Sequence, residues 1–275
     1  MPGDRRGLER QDAMVNAWTA GIVEVSGGYL AYHRTGGEGP PLVLSHGLTD
    51  NGLCWRRLAL ALQENFDIIM LDARGHGASS RIRPGAWDDP GADIAQVIDQ
   101  LSLENPIVMG HSVGARATAD YAAAFPGRVG KVILEDPPFL PIAPPSATTK
   151  RRARFRQQVL GYASLTELAI IDMGKRASPF WCDDDFPDWA AAKKQVDPEA
   201  MPVYAHPWQD SIRAITAPTL LIHGEASCGS LITAELAAQA QAINPKIATV
   251  QISGAGHNVR RENFSGYLAA VRAFL

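Results

Sequence analysis

Cysteine is scarce in this sequence, whose 275 residues contain only Cys54, Cys182 and Cys228. Their number is odd, they lie far apart, and no Cys-x-x-Cys or Cys/His spacing surrounds them, which argues against a disulfide framework and a structural zinc site. An excess of one charge is also lacking, because 26 Lys and Arg residues stand against 29 Asp and Glu residues, a formal net charge of −3. Binding to nucleic acid through a basic surface is therefore not expected.

Long apolar runs are absent as well. No segment reaches the length of a membrane span, and the first 19 residues carry charges where a signal peptide would have an apolar core. We therefore expect a cytoplasmic protein without membrane contact, with residues 1–19 as a flexible leader. The glycine-rich segments lack the spacing of phosphate-binding and dinucleotide-binding loops, so no cofactor or metal is expected. The expected partner is a small-molecule substrate, and the sequence is compatible with a monomer or a homodimer.

Short apolar runs alternate with amphipathic helical patterns along most of the chain. Runs such as residues 41–45 and 67–71 show no polar alternation, which is typical of strands buried on both faces of a parallel sheet. The alternation predicts an α/β fold with a mostly parallel, doubly wound sheet built from residues 20–136 and 211–275. Residues 137–210, with clustered prolines and a basic run, interrupt this pattern and are predicted to form an inserted lid with its own helices.

The clearest chemical signal is the segment Gly110-His111-Ser112-Val113-Gly114, which matches the pattern G-x-S-x-G. It directly follows an apolar strand and directly precedes a helical pattern, and this context gives the motif its meaning. The glycines permit a tight turn that exposes the serine hydroxyl, and the N–H of Val113 would face negative charge developing on a substrate oxygen. The segment predicts Ser112 as a catalytic nucleophile.

Four segments in this order resemble the α/β-hydrolase superfamily: LVLSHGLTDN, LDARGHGASS, VMGHSVGARA and ISGAGHNVRRENF. The resemblance extends from about residue 20 to the end of the chain and indicates a serine-nucleophile, esterase-like or lactonase-like branch. It implies Ser112 as nucleophile and His257 as general base, with the N–H groups of Leu48 and Val113 forming the oxyanion hole. Relatives that open epoxides or displace halide carry a carboxylate at the position of Ser112, so those activities are not expected.

A serine–histidine pair needs a third group, a carboxylate that accepts the other imidazole N–H. In most relatives this acid lies three residues after the glycine that is Gly224 here, but that position holds Ser227. The other location used in the family is the end of the preceding core strand, where Asp136 stands before two prolines. We predict Asp136 as the acid and keep Glu225 as the alternative, while a cap on the turn into the lid would also explain an Asp-Pro pair.

Several further side chains are candidates for substrate binding. Arg152 and Arg156 are four residues apart, would share one face of a helix and could hold a substrate carboxylate, although basic runs usually face water. The other candidates are His46, Phe139, Trp181, Tyr204 and Trp208. Aromatic side chains of a lid more often fill its core, and only a subset would line an apolar pocket. Nearby, Asp72 and Arg74 are expected to form an ion pair that braces their loop.

The sequence thus predicts a cofactor-free serine hydrolase that cleaves a small ester, lactone or activated amide through an acyl-enzyme. Because one fold supports many reactions, carbon–carbon bond hydrolysis or lyase chemistry on the same scaffold is the first alternative. The second is a protein that binds a ligand or signal molecule without turning it over. Labelling of an activated serine would separate the hydrolase from both alternatives.

Overall fold

A computed structural model describes residues 18–83 and 89–275. Nearly all of the predicted leader lies outside these residues, and Thr19 already belongs to the first strand. The strands are β1 (Thr19–Val25), β2 (Gly28–Arg34), β3 (Pro41–Ser45), β4 (Asp67–Leu71), β5 (Ile107–His111), β6 (Lys131–Glu135), β7 (Thr219–His223) and β8 (Ile247–Gln251). They form one sheet in the order β1-β2-β4-β3-β5-β6-β7-β8.

Helices flank this sheet on both faces. The α-helices of the described residues are α1 (Arg56–Leu62), α2 (Pro90–Gln100), α3 (Val113–Ala124), α4 (Pro145–Ala163), α5 (Glu167–Ala177), α6 (Phe186–Lys194), α7 (Trp208–Ala214), α8 (Ala234–Ile243), α9 (Val259–Glu262) and α10 (Phe264–Phe274). None of them is both long and apolar enough to cross a bilayer.

The sheet is antiparallel at one end and parallel elsewhere. β1 pairs with β2 as a hairpin, β2 pairs antiparallel with β4, and every pairing from β4 to β8 is parallel. Helices α2, α3, α7 and α8 contribute to the apolar cluster on one face of the sheet, and α1 and α10 contribute to the cluster on the other. These two buried clusters explain why the central strands are apolar at successive positions. The predicted doubly wound α/β fold is confirmed.

Parallel strands bring their carboxyl ends to one edge of the sheet, and the loops of interest gather there. Residues 46–51 follow β3, Ser112 follows β5, Asp136 follows β6, and His257 lies in the loop after β8. Helices α4, α5 and α6 lie between β6 and β7, within the segment predicted to form a lid, and this segment is called the lid below. Helix α7, which starts at Trp208 inside the predicted lid boundary, packs instead on the sheet core.

The expected ion pair between Asp72 and Arg74 does not form. Arg74 pairs with Asp93 at 2.7 Å. The Asp72 carboxylate accepts hydrogen bonds from the N–H groups of Gly52 at 2.7 Å and Ala78 at 2.8 Å. Asp72 therefore braces its loop by satisfying backbone donors, and the prediction of a partner two residues away was wrong.

Candidate active site

The predicted nucleophile occupies a strained turn between β5 and α3. Ser112 adopts φ 53° and ψ −123°, a conformation that costs a residue with a side chain roughly 1–3 kcal/mol. Two glycines make the turn possible: a Cβ on Gly110 would lie 2.4 Å from the Gly114 carbonyl oxygen, and one on Gly114 would lie 2.3 Å from that of Ser45. The Ser112 N–H donates to Glu135 O at 2.9 Å and holds the turn against β6.

The predicted base, His257, lies beside Ser112 at the edge of the sheet where the parallel strands end. His257 Nε2 lies 3.0 Å from Ser112 Oγ, and its Nδ1 lies 2.6 Å from Asp136 Oδ2. Because Nδ1 faces a carboxylate, it carries the proton, and the lone pair of Nε2 is left to accept the serine hydroxyl proton. The His257 carbonyl oxygen accepts a hydrogen bond from Nε2 of His111 at 2.9 Å. This bond connects the loop that carries His257 to the residue that precedes Ser112.

The predicted acid is fully buried and surrounded by donors. Asp136, with φ 42°, accepts hydrogen bonds from Ser230 Oγ at 2.5 Å and from the N–H groups of Leu231 at 2.8 Å and Ile232 at 3.0 Å. These three donors come from the loop after β7, so a carboxylate at the end of β6 is held by the loop that carries the acid in most relatives. The donors fix the carboxylate in an orientation that leaves Oδ2 facing His257.

The alternative acid lies elsewhere. Glu225 accepts a hydrogen bond from the Gly254 N–H at 3.0 Å, and its other oxygen lies 3.5 Å from the hydroxyl of the exposed Ser227. The structure therefore brings Asp136, and not Glu225, to the histidine. Of the three donors just described, only Ser230 donates through its side chain. It was missed in the sequence because it belongs to no motif.

The residues predicted to form the oxyanion hole lie on the two segments that flank Ser112. Leu48 follows Gly47 in residues 46–51, which we call the oxyanion loop; a Cβ on Gly47 would lie 3.4 Å from Ser112 Cβ. Val113 is the first residue of α3, where backbone N–H groups have no acceptor within the helix. Both segments therefore lie beside Ser112, as the predicted oxyanion hole requires.

His46 supports the oxyanion loop through its ring. The Ala73 N–H donates to His46 Nε2 at 3.0 Å, so Nδ1 carries the proton and donates to Gly47 O at 2.8 Å. Burial lowers the pKa of His46, which keeps the ring neutral, as both hydrogen bonds require. His46 borders the cavity described next, and because both ring nitrogens are occupied by backbone groups, only its ring carbons are left for the predicted contact with substrate.

A cavity of about 700 Å³ opens beside the nucleophile turn. Its wall includes Ser45 and Val113 on the core side and Arg152, Met201 and Tyr204 on the lid side. A cavity of this volume accommodates a small organic molecule between the core and the lid. Among the described residues, no group of three or more His, Cys, Asp or Glu side chains could hold a metal ion.

The lid side of this cavity carries cationic and donor groups. Arg152 lies 3.4 Å from Glu199, and Arg156 contacts the same carboxylate from an exposed position outside the cavity wall. Two guanidinium groups thus share one carboxylate. The Tyr204 hydroxyl is buried without a hydrogen-bond partner in the described part of the chain, and its ring lies 4.8 Å from the Arg116 guanidinium carbon. Burial raises the pKa of Tyr204, so this hydroxyl remains a donor.

Three predicted substrate contacts have packing roles instead. Phe139 and Trp208 are 2% exposed and stack with ring centroids 4.3 Å apart in the core. Trp181 packs within the lid region against Phe186 and Trp189, at centroid distances of 5.7 Å and 6.0 Å. None of the three belongs to the described lining of the cavity. The prediction that these three rings contact substrate is corrected, because they pack against other aromatic rings in the core or within the lid region.

The chain is similar to known proteins in sequence and in fold. A sequence model of the alpha/beta hydrolase family matches residues 42–269. The chain is 27% identical over 258 residues to 2-(acetamidomethylene)succinate hydrolase of Mesorhizobium japonicum, covering 88% of this chain and 90% of that protein. It is 28% identical over 272 residues to N-formylmaleamate deformylase of Pseudomonas putida, covering 93% and 96%. The crystal structure of an E-2-(acetamidomethylene)succinate hydrolase superposes with a TM-score of 0.76 at 25% identity, covering 94% of this chain and 98% of the other.

Proposed function

The chain belongs to the alpha/beta hydrolase family and is a hydrolase, and from this premise we propose that it cleaves a small ester, lactone or activated amide through an acyl-enzyme formed on Ser112. The observation that carries the proposal is the continuous hydrogen-bond chain from Ser112 Oγ through His257 to Asp136. A serine hydroxyl becomes an effective nucleophile only when a base removes its proton, and a histidine held by a carboxylate is suited to do so.

Acylation follows from the positions of these groups. Ser112 Oγ attacks the substrate carbonyl carbon while its proton passes to His257 Nε2, and the carbonyl oxygen becomes an oxyanion. The N–H groups of Leu48 and Val113 stabilise this oxyanion, because both lie on the segments that flank Ser112. The tetrahedral intermediate then expels the leaving group, which takes the proton from His257. Asp136 stabilises the imidazolium that exists between these two proton transfers.

Deacylation uses the same groups with water as the nucleophile. His257 removes a proton from water as the water oxygen attacks the acyl carbon, and the same N–H groups stabilise the second oxyanion. When the bond to Ser112 Oγ breaks, His257 returns the proton to the serine, and the carboxylic acid product leaves. The cycle consumes one water molecule and needs no further reactant.

The lid favours an anionic substrate within this class. Arg152 and Tyr204 both line the cavity; Arg152 shares the Glu199 carboxylate with Arg156, and the Tyr204 hydroxyl has no partner among the described residues, so both can donate hydrogen bonds of the kind that a carboxylate accepts. The names of the two relatives, a succinate derivative with an acetamido group and an N-formyl maleamate, each combine an acylated nitrogen with a carboxylate. We therefore propose a small N-acyl amide or ester that carries a carboxylate, with Arg152 and Tyr204 as its binding groups.

The test is hydrolysis of a matched panel of small esters, lactones and N-acyl amides, each with and without an additional carboxylate. Acid release is followed for the wild type and for Ser112→Ala, and intact mass spectrometry detects the acyl adduct with the slowest ester. We expect turnover to depend on Ser112 and the carboxylated amides or esters to have the higher kcat/KM. Unchanged turnover by Ser112→Ala would overturn the proposal, and a preference for neutral compounds would overturn its substrate class.

A further inference from the structure

The oxyanion loop contains a strained residue. Thr49 adopts φ 68°, a left-handed conformation that is unfavourable for a β-branched side chain. Such a conformation persists only where the surroundings impose it. Within the loop, the Asp50 N–H donates to Gly47 O at 3.0 Å and closes a turn around Leu48 and Thr49. One turn bond is a weak constraint, so the loop needs support from outside.

Part of that support comes from the lid. Lys193, near the end of α6, is only 4% exposed, and its Nζ donates to Thr49 O at 2.8 Å and to Asp50 Oδ1 at 3.2 Å. Two positions further on, Gln195 Oε1 accepts a hydrogen bond from Asn51 Nδ2 at 2.9 Å. The final turn of α6 and the residue after it therefore contact three consecutive residues of the oxyanion loop.

The side chain of Leu48 makes a separate contact with the lid. It packs against a small apolar cluster formed by Phe155 and Val159 of α4 and by Val196. The residue whose N–H is assigned to the oxyanion hole is thus held by the lid through its side chain, while Lys193 holds the following carbonyl group. The backbone between these two anchors includes the peptide units around Leu48.

The same cluster connects the oxyanion loop to the histidine loop. The Asp50 carboxylate contacts Arg260 at 3.0 Å and Arg261 at 3.1 Å, and Arg260 also bonds to Glu135, the residue before Asp136. Asp50 therefore retains two cationic partners when Lys193 is removed. Loss of Lys193 releases the Thr49 carbonyl group without leaving a buried carboxylate unpaired.

We propose that Lys193 is a positioning residue, which acts from the lid to hold the oxyanion loop so that the Leu48 N–H faces the substrate oxygen at Ser112. This inference rests on the proposed function, because it takes Leu48 as an oxyanion donor. It also couples the lid to the chemistry: a lid helix displaced from the core carries Lys193 away and releases the loop.

The experiment compares Lys193→Met with Lys194→Met. Methionine keeps the unbranched apolar stem and removes only the charged donor. Lys194 is the adjacent residue of the same helix and donates to carbonyl groups within the lid, those of Ala163 and Leu165, so its substitution is a matched control. For each variant, kcat and KM are measured, together with amide hydrogen exchange of a peptide covering residues 46–51.

We expect Lys193→Met to lower kcat roughly tenfold with little change in KM, because a displaced donor affects the oxyanion more than the bound substrate. Exchange of residues 46–51 should accelerate in Lys193→Met and stay at the wild-type rate in Lys194→Met. Should Lys193→Met not fold, Lys193→Gln keeps a polar N–H group on a shorter side chain and is expected to show the same changes at a smaller size.

Unchanged exchange in the Lys193 variants would overturn the inference, because the loop would then be held without them. Faster exchange with wild-type kcat would overturn the positioning role while leaving the contact itself. Failure of the proposed function gives a different pattern, since the wild type would then have no turnover that depends on Ser112.

Discussion

Asp136 Oδ2 lies 2.6 Å from Nδ1 of His257, although the two residues are 121 positions apart in the chain. The contact is possible because β6 ends at the same edge of the sheet as the loop that follows β8. In the proposed triad the third group lies at the end of β6, and the loop after β7, where most relatives carry the acid, supplies donors to that carboxylate.

The first prediction concerns Asp136→Asn. The amide cannot hold the imidazole as the Nδ1–H tautomer, so we expect kcat to fall by about a thousandfold or more, by analogy with triads in general. Steady-state kinetics measure the loss, and circular dichroism checks the fold. Glu225→Gln is the control, because Glu225 bonds to Gly254 instead of the histidine. A large loss in Glu225→Gln with little in Asp136→Asn would reverse the assignment.

The second prediction concerns Ser230→Ala. This change removes the hydroxyl that donates to Asp136 at 2.5 Å but leaves the two backbone donors. A hydrogen bond to a charged group is worth about 1.5–3 kcal/mol, and only part of this affects the transition state. We expect kcat to fall several-fold with KM unchanged. Ser227→Ala, in the same loop but exposed, should retain wild-type kcat; equal effects of the two changes would count against the role of Ser230.

The third prediction concerns Arg152→Gln. If Arg152 binds a substrate carboxylate, its loss should raise KM for carboxylated substrates by about tenfold or more, since a charge-assisted hydrogen bond is lost. Neutral analogues should be nearly unaffected. Arg154→Gln is the control, because Arg154 is exposed on the same helix. Parallel changes in KM for charged and neutral substrates would show that Arg152 acts on lid structure and not on recognition.

The fourth prediction concerns stability at acid pH. Burial lowers the pKa of His76 to about 3, and burial also lowers the pKa of His46 and His111. Below the ordinary histidine pKa near 6.5, the unfolded chain binds protons that the folded chain does not. The free energy of unfolding should therefore decrease as the pH falls from about 6.5 towards 4. This loss should exceed that of a chain whose histidines titrate normally.

His76→Asn tests this reasoning. Asparagine keeps a side-chain N–H donor for the Arg74 carbonyl oxygen, which His76 Nδ1 contacts at 3.1 Å, and removes the titrating group. Urea unfolding at several pH values should show a shallower dependence of stability on pH for the variant than for the wild type. Identical slopes would mean that protonation of His76 does not contribute to acid destabilisation.

The sequence was sufficient for those parts of the molecule that local patterns determine. Alternating apolar runs and helical periodicities indicated the sheet, and the glycines around Ser112 indicated the turn, because each depends on neighbouring residues. Asp136 was predicted because Ser227, which is not an acid, occupies the usual position of the carboxylate, and because the family has a second location for that acid. These predictions depend on a few positions and on the geometry that parallel strands impose.

Long-range contacts could not be predicted in the same way. Ser230 and Lys193 lie in no motif, and their contacts with Asp136 and Thr49 follow from how loops and lid pack in space. Phe139 and Trp208 were misassigned because an aromatic side chain has the same pattern whether it lines a cavity or fills a core. Arg74 pairs with Asp93. The wrong partner was predicted because Asp72 is only two residues from Arg74 in the sequence.

The most direct test of the account is intact mass spectrometry after exposure to a fluorophosphonate, with wild type and Ser112→Ala compared. The account predicts a single adduct on the wild type, mapped to Ser112, and no adduct on Ser112→Ala, because only a serine paired with His257 reacts readily with such a reagent. An unlabelled wild type, or an adduct that persists in Ser112→Ala, would contradict the central claim that Ser112 is an activated nucleophile.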